Sequence, residues 1–168
     1  MDRIAVVLPP SQAGRALWIL AGALATLAAA WTFEASGFAP CELCLTERWA
    51  FYAGAPLAAL AAFCAVRSLH GAARGLFVLL AIVFLANAGL AFYHAGVEQH
   101  WWAGPTACTG SFSGPVDVDD LMKALNAARV VNCDEVRLRI LGLSLAGWDV
   151  VASAALAIYA ALAARLGR

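Results

Sequence analysis

The residues with the most chemistry in this chain are its cysteines. Cys41 and Cys44 form a Cys-x-x-Cys motif, Cys41-Glu-Leu-Cys44, a spacing used for redox exchange, metal binding or haem attachment. Haem attachment requires His directly after the second Cys, and Leu45 occupies that place. A b-type haem would need facing histidines, and the chain has only His70, His94 and His100. In the topology argued below, His70 falls on the opposite side of the membrane. Zinc held by Cys41, Cys44, Cys108 and Cys133 is sound chemistry, since sites of four thiolates are common. Yet 24 residues separate the second pair, which is not a knuckle spacing. Redox exchange fits best, and no metal is expected.

The neighbours of the motif favour the same use. Pro40 suits the start of a helix, and an apolar pattern follows at once. Both cysteines then lie in or near a first turn, where the positive end of the helix dipole favours thiolate. Arg48 follows Cys44 by four residues, on the same face at about 5–6 Å between Cβ atoms. Its bland reading is snorkelling, or an ion pair with Glu47. Its sharper reading is stabilisation of a thiolate or of an anionic electron acceptor. Cys64 stands 20 residues beyond Cys44, or about 30 Å along a helix, too far for a disulfide between them. It reads as a buried small hydrophobe.

The elements that must hold these residues are membrane helices. Of 168 residues, 63% are hydrophobic and 13% charged, against about 45–50% and about 25% in an ordinary soluble domain. So small a soluble protein cannot hide that much apolar surface. Zero net charge leaves no footprint for nucleic acid, and the composition also excludes a disordered tail. Four apolar runs are long enough to span a bilayer, at about 16–33, 49–66, 76–93 and 143–162. The first exceeds a signal-peptide core and is expected to be a retained helix. The expected fold is an all-α, four-helix transmembrane bundle forming a single membrane domain.

Basic residues set the expected orientation. With both termini in the cytoplasm, Arg3, Arg15, Arg67, Arg74, Arg165 and Arg168 lie inside. The outer loop 34–48 then carries no Lys or Arg before Arg48 at its end. The outer loops, 34–48 and 94–142, hold Cys41, Cys44, Cys108 and Cys133, which therefore face an oxidising compartment. Within the long loop, Val118, Leu121, Met122 and Leu125 recur at helical spacing opposite Asp119, Asp120 and Lys123. A short amphipathic helix over 117–128 could lie on the bilayer or pack on the bundle.

Three fragments in order now resemble the disulfide bond formation protein B (DsbB) family. Pro40-Cys-Glu-Leu-Cys-Leu-Thr-Glu-Arg48 is similar to its first redox site. Tyr93-His-Ala-Gly-Val-Glu98 with Trp101, Trp102, Gly104, Pro105 and Cys108 is similar to its third-helix exit and second loop. Cys133-Asp-Glu with Leu141-Gly-Leu-Ser-Leu-Ala-Gly-Trp148 is similar to its approach to the fourth helix. The resemblance implies a quinone-dependent thiol oxidase of the bacterial inner membrane. It would reoxidise a periplasmic, DsbA-like thioredoxin-fold partner and pass the electrons to membrane quinone, with ubiquinone expected ahead of menaquinone. Cys108 would receive the partner's attack, Cys133 would relay to Cys41, and Cys44 would become the thiolate facing quinone. Arg48 would touch quinone, and His94 would lie close by. The expected resting disulfides are Cys41–Cys44 and Cys108–Cys133, each pair being local in sequence.

Four other readings compete with this one. A branch of the same family could serve a dedicated partner, and a membrane metal protein could use the four outer cysteines. A scaffold could carry two merely structural disulfides. The vitamin K epoxide reductase family also joins cysteines, four helices and quinone, but its active pair is expected late in the chain, whereas here it comes first. One departure from the DsbB pattern stands out at Asp149, where a neutral side chain such as Asn is expected after Trp148. If the fourth span starts near Val150, Asp149 sits at the headgroup level beside Trp148 and needs no special partner. That interfacial position is the expectation; the alternative puts Asp149 beside the quinone site, paired with Arg48 or His94.

Overall fold

The computed structural model describes residues 11–105 and 132–166. Four helices dominate it: α1 (Gln12–Ala35), α2 (Glu42–Val66), α3 (His70–Glu98) and α4 (Leu145–Arg165). All four are long and apolar enough to cross a membrane. The chain is therefore an all-α transmembrane bundle. Three of the expected spans lie inside these helices. The fourth begins two residues too early, because 143–144 belongs to a hairpin. The expected amphipathic helix over 117–128, with Cys108, lies outside the described residues.

Each helix buries one narrow stripe. Ala16, Ile19, Ala23 and Leu27 face inward from α1, and Phe77, Leu80 and Phe84 from α3. Ala58 and Ala61 of α2 and Ala157 and Ala160 of α4 complete the core. This spacing of three and four residues keeps the stripe on one face. Large apolar side chains such as Trp18, Phe63, Ile82, Leu85 and Ile158 point outward. In water that distribution would be ruinous; in lipid it costs nothing, and small residues let the helices approach. A Cβ on Gly54 would come within 2.5 Å of the Phe84 ring, so only glycine lets α2 and α3 pack this closely.

Short connections fix the order of the helices. Three residues join α2 to α3, with Ser68 at φ 60° turning the chain back. α1 packs on α2, α2 on α3 and α3 on α4, whereas α1 and α4 meet over only a short stretch. That weak seam leaves room for a cavity at one end. Before α4, β1 (Arg139–Ile140) and β2 (Leu143–Ser144) form an antiparallel hairpin. Its two turn residues, Leu141 and Gly142, both have positive φ, at 52° and 87°. This is the backbone that a two-residue hairpin turn of matching twist requires. Trp148 Nε1 donates to the Ile140 carbonyl at 2.9 Å and pins the hairpin to α4. Ser144 then caps α4, its Oγ accepting from Gly147 N–H.

Candidate active site

Cys41 is the N-cap of α2, and its Sγ accepts the Cys44 backbone N–H at 3.2 Å. The two sulfurs are 2.9 Å apart and both cysteines are free. A disulfide would bring them to about 2.0 Å. The pair is a dithiol in this structure. Cys41 is buried and Cys44 half-buried.

Behind Cys41 stands His94, on the last turns of α3, with Nε2 at 3.5 Å from Cys41 Sγ. Its Nδ1 is 2.8 Å from Glu47 Oε1. Both members of this pair are buried, His94 at 1% exposure and Glu47 at 5%. The Cys41 thiol is held well below the usual thiol range, chiefly by the hydrogen bond from Cys44. Burial opposes that shift, while the His94 contact and the Cys44 backbone N–H reinforce it. The Cys44 thiol, with His94 and the cap behind it, makes Cys41 the better-stabilised sulfur of the pair.

On the other flank the dithiol meets a cavity of about 470 Å³. Ala25, Ala29 and Ala30 of α1 keep one wall small, and Phe33, Phe51 and Trp148 supply aromatic surface. Cys41, Cys44, Glu47, Arg48 and Asp149 give it a polar edge. A largely apolar cleft of this size with few polar groups has the character of a small-molecule site. Arg48 is paired with Glu34 of α1, Nη1 donating to Oε2 at 2.7 Å. Its partner is therefore not Glu47, which lies roughly 100° further round the helix and faces α3.

Asp149 lines the same cavity. Because the Ser144 cap starts α4 at Leu145, Asp149 falls in the second turn, on the cavity wall. Asn87 Nδ2 donates to its Oδ2 and Ser153 Oγ to its Oδ1, each at 3.2 Å. Asn87 also donates to Ser153 Oγ at 2.9 Å. Neither Arg48 nor His94 is among these partners.

His94 is close to the cavity without being part of its wall, and lies behind Cys41. Cys133 is disulfide-bonded and 1% exposed, in one small cluster with Cys41, Leu43 and Val97. Cys108, its expected partner, lies outside the described residues. The α3 exit is fixed by stacking: Trp102 lies parallel to Tyr93 and covers Gly96, where a Cβ would clash with the indole.

Glu47 is the site residue that the sequence reading did not single out. An acid three residues after Cys44 shares its helix face, inside a run where charge is expensive; that signal was present. Its partner, 47 residues away, was not readable from spacing.

Four membrane-length helices holding a dithiol beside an apolar cavity define a membrane protein of thiol–disulfide chemistry. The model of the family described as Disulfide bond formation protein DsbB matches residues 13–163, and the chain belongs to that family. It is therefore a membrane oxidoreductase of disulfide-bond formation. No curated protein and no solved structure matches it.

Proposed function

We propose that this chain oxidises a periplasmic, DsbA-like thioredoxin-fold protein and passes the electrons to membrane quinone, ubiquinone ahead of menaquinone. The observation that carries the reading is the placement of Cys41 and Cys44 in the wall of an apolar cavity shared with Arg48. The cavity fits a quinone: it is large enough, mostly apolar, and edged by the cations Arg48 and Arg137. Cys44 and Arg48 would hold the ring. Quinone, when bound, accepts two electrons and two protons and leaves as hydroquinone.

The chain's own steps follow from its thiols. The partner's thiolate attacks a Cys108–Cys133 disulfide at Cys108 and frees Cys133; the partner's second thiolate then attacks its own sulfur in the mixed disulfide, releasing Cys108 and the oxidised partner. The freed Cys133 attacks the Cys41–Cys44 disulfide at Cys41, beside which it is packed, and Cys44 departs as thiolate. Cys108 then resolves the Cys133–Cys41 bond, leaving Cys41 and Cys44 as a dithiol. Loss of two electrons and two protons returns that pair to the disulfide. Glu47 fixes the His94 ring against Cys41, and Arg48 supplies positive charge at the cavity edge. In this reading the whole chain is one domain of the inner membrane, with both termini cytoplasmic and the four outer cysteines periplasmic.

Anaerobic mixing of the purified protein with ubiquinone and a reduced thioredoxin-fold partner tests the reading. One hydroquinone should form per partner disulfide. Arg48→Ala should slow quinone reduction more than thiol exchange with the partner. Thiol exchange without quinone reduction, or equal losses in both half-reactions, would refute it.

A further inference from the structure

The three groups that meet at the dithiol also have the makings of a metal site. Cys41 Sγ, Cys44 Sγ and a ring nitrogen of His94 lie within 4.8 Å of one another. In a tetrahedral site with Zn–S near 2.3 Å and Zn–N near 2.0–2.1 Å, neighbouring S and N ligands stand about 3.6 Å apart and two sulfurs about 3.8 Å. The Cys41 Sγ to His94 Nε2 distance of 3.5 Å already meets the first condition. The sulfurs, 2.9 Å apart, must separate by about 0.9 Å, within reach of a side-chain rotation at half-buried Cys44.

His94 is prepared for ligation from behind. With Nδ1 held at 2.8 Å from Glu47, release of the Nε2 proton would leave the ring's lone pair facing Cys41 Sγ. A carboxylate behind a ligating imidazole is the arrangement that orients histidine and raises its basicity at metal centres. The fourth position would open on the cavity, whose wall includes both cysteines.

We propose that the reduced Cys41–Cys44 pair and His94 form a Zn2+ site, with Glu47 as the outer partner of His94, and that zinc locks the dithiol against oxidation. The Cys44 S–H and His94 Nε2–H bonds break, two Zn–S bonds and one Zn–N bond form, and two protons pass to solvent; no electron moves. The disulfide form has no thiolate to offer and does not bind. The inference rests on the dithiol and the imidazole, not on the identity of the electron acceptor.

The test uses the full chain in detergent micelles, carrying Cys108→Ser and Cys133→Ser so that no loop thiols compete. After anaerobic reduction it is titrated with Zn2+ against a chromophoric chelator, and with Co2+ as a spectroscopic reporter. One metal per chain, about two protons released and a tetrahedral, thiolate-ligated Co2+ spectrum are expected. The diamide-oxidised protein should bind none. Glu47→Gln should weaken zinc by about 10–100-fold, and His94→Gln by at least as much. Cys64→Ala should change nothing. Saturating zinc should block diamide oxidation of the pair, and a chelator should restore it. Unchanged affinity in both His94→Gln and Glu47→Gln, an octahedral Co2+ spectrum, or oxidation indifferent to zinc would overturn the proposal. Because diamide replaces quinone here, a failure of quinone reduction in metal-free protein would refute the earlier reading alone.

Discussion

Cys41 and Cys64 bracket α2, and both are free and buried, at 5% and 9% exposure. They differ in company. Cys41 meets a second thiol, an imidazole and a backbone N–H, and behind the imidazole stands a carboxylate. Cys64 sits in the last turns of the same helix, below a core of alanine, leucine and phenylalanine. At Cys41, burial raises the cost of a thiolate, and the mouth of the bundle supplies the donors that reverse it. Two cysteines about 34 Å apart on one helix are thus a reagent and a piece of packing.

The sharpest way to break that contrast is at Glu47. Glu47→Ala leaves a buried imidazole without its partner and should cost about 3–5 kcal/mol, measured by thermal denaturation of the reduced, solubilised protein. A cost under about 1 kcal/mol, typical of exposed pairs, would show that the mouth is no more demanding than the rest of the bundle.

The next effect is on the charge of Cys41. Its depressed thiol should stay ionised as pH falls through the 8.5 or so at which an ordinary thiol protonates. Thiolate absorbance of the reduced protein, with the other three cysteines outside the motif replaced, should therefore persist from pH 8 to pH 6. His94→Gln should move that loss toward higher pH, because part of the stabilisation goes with the ring.

Asp149→Asn keeps the side chain's shape and one acceptor oxygen for Asn87 or Ser153 while deleting the acid from the cavity wall. Quinone reduction should change by about tenfold, or about 1.4 kcal/mol, with a shifted pH profile. An unchanged rate and profile would return Asp149 to a purely structural role. Least of all should happen at Cys64: Cys64→Ala should leave turnover unaltered and cost about 1 kcal/mol of stability.

Local features of this architecture could be read from the chain. Four apolar runs, the cap position of the Cys-x-x-Cys motif and the shared face of Cys44 and Arg48 all follow from helical periodicity. What escaped were partnerships across helices. Glu34 belongs to α1, yet it neutralises Arg48; His94 belongs to α3, yet it turns Glu47 away from its neighbour in sequence. The place of Asp149 within α4 was hidden for a smaller reason. The hairpin and its Ser144 cap start α4 at Leu145, early enough to carry the acid inside the helix, whereas apolar counting allowed a start after it. A polar signal did exist there, since Asp149 and Ser153 share one face of α4 and Asn87 interrupts an apolar α3.

The cap on α2 carries a consequence for electron affinity. A sulfur that accepts the Cys44 N–H does so best as thiolate, and less well once it is bonded to another sulfur. An N-cap hydrogen bond is worth about 1 kcal/mol, and about 1.4 kcal/mol corresponds to about 30 mV in a two-electron couple. If most of the bond's worth is lost on oxidation, the start of this helix raises the reduction potential of the pair by about 20 mV. The same backbone that begins the second span thus makes its cysteines a slightly stronger oxidant.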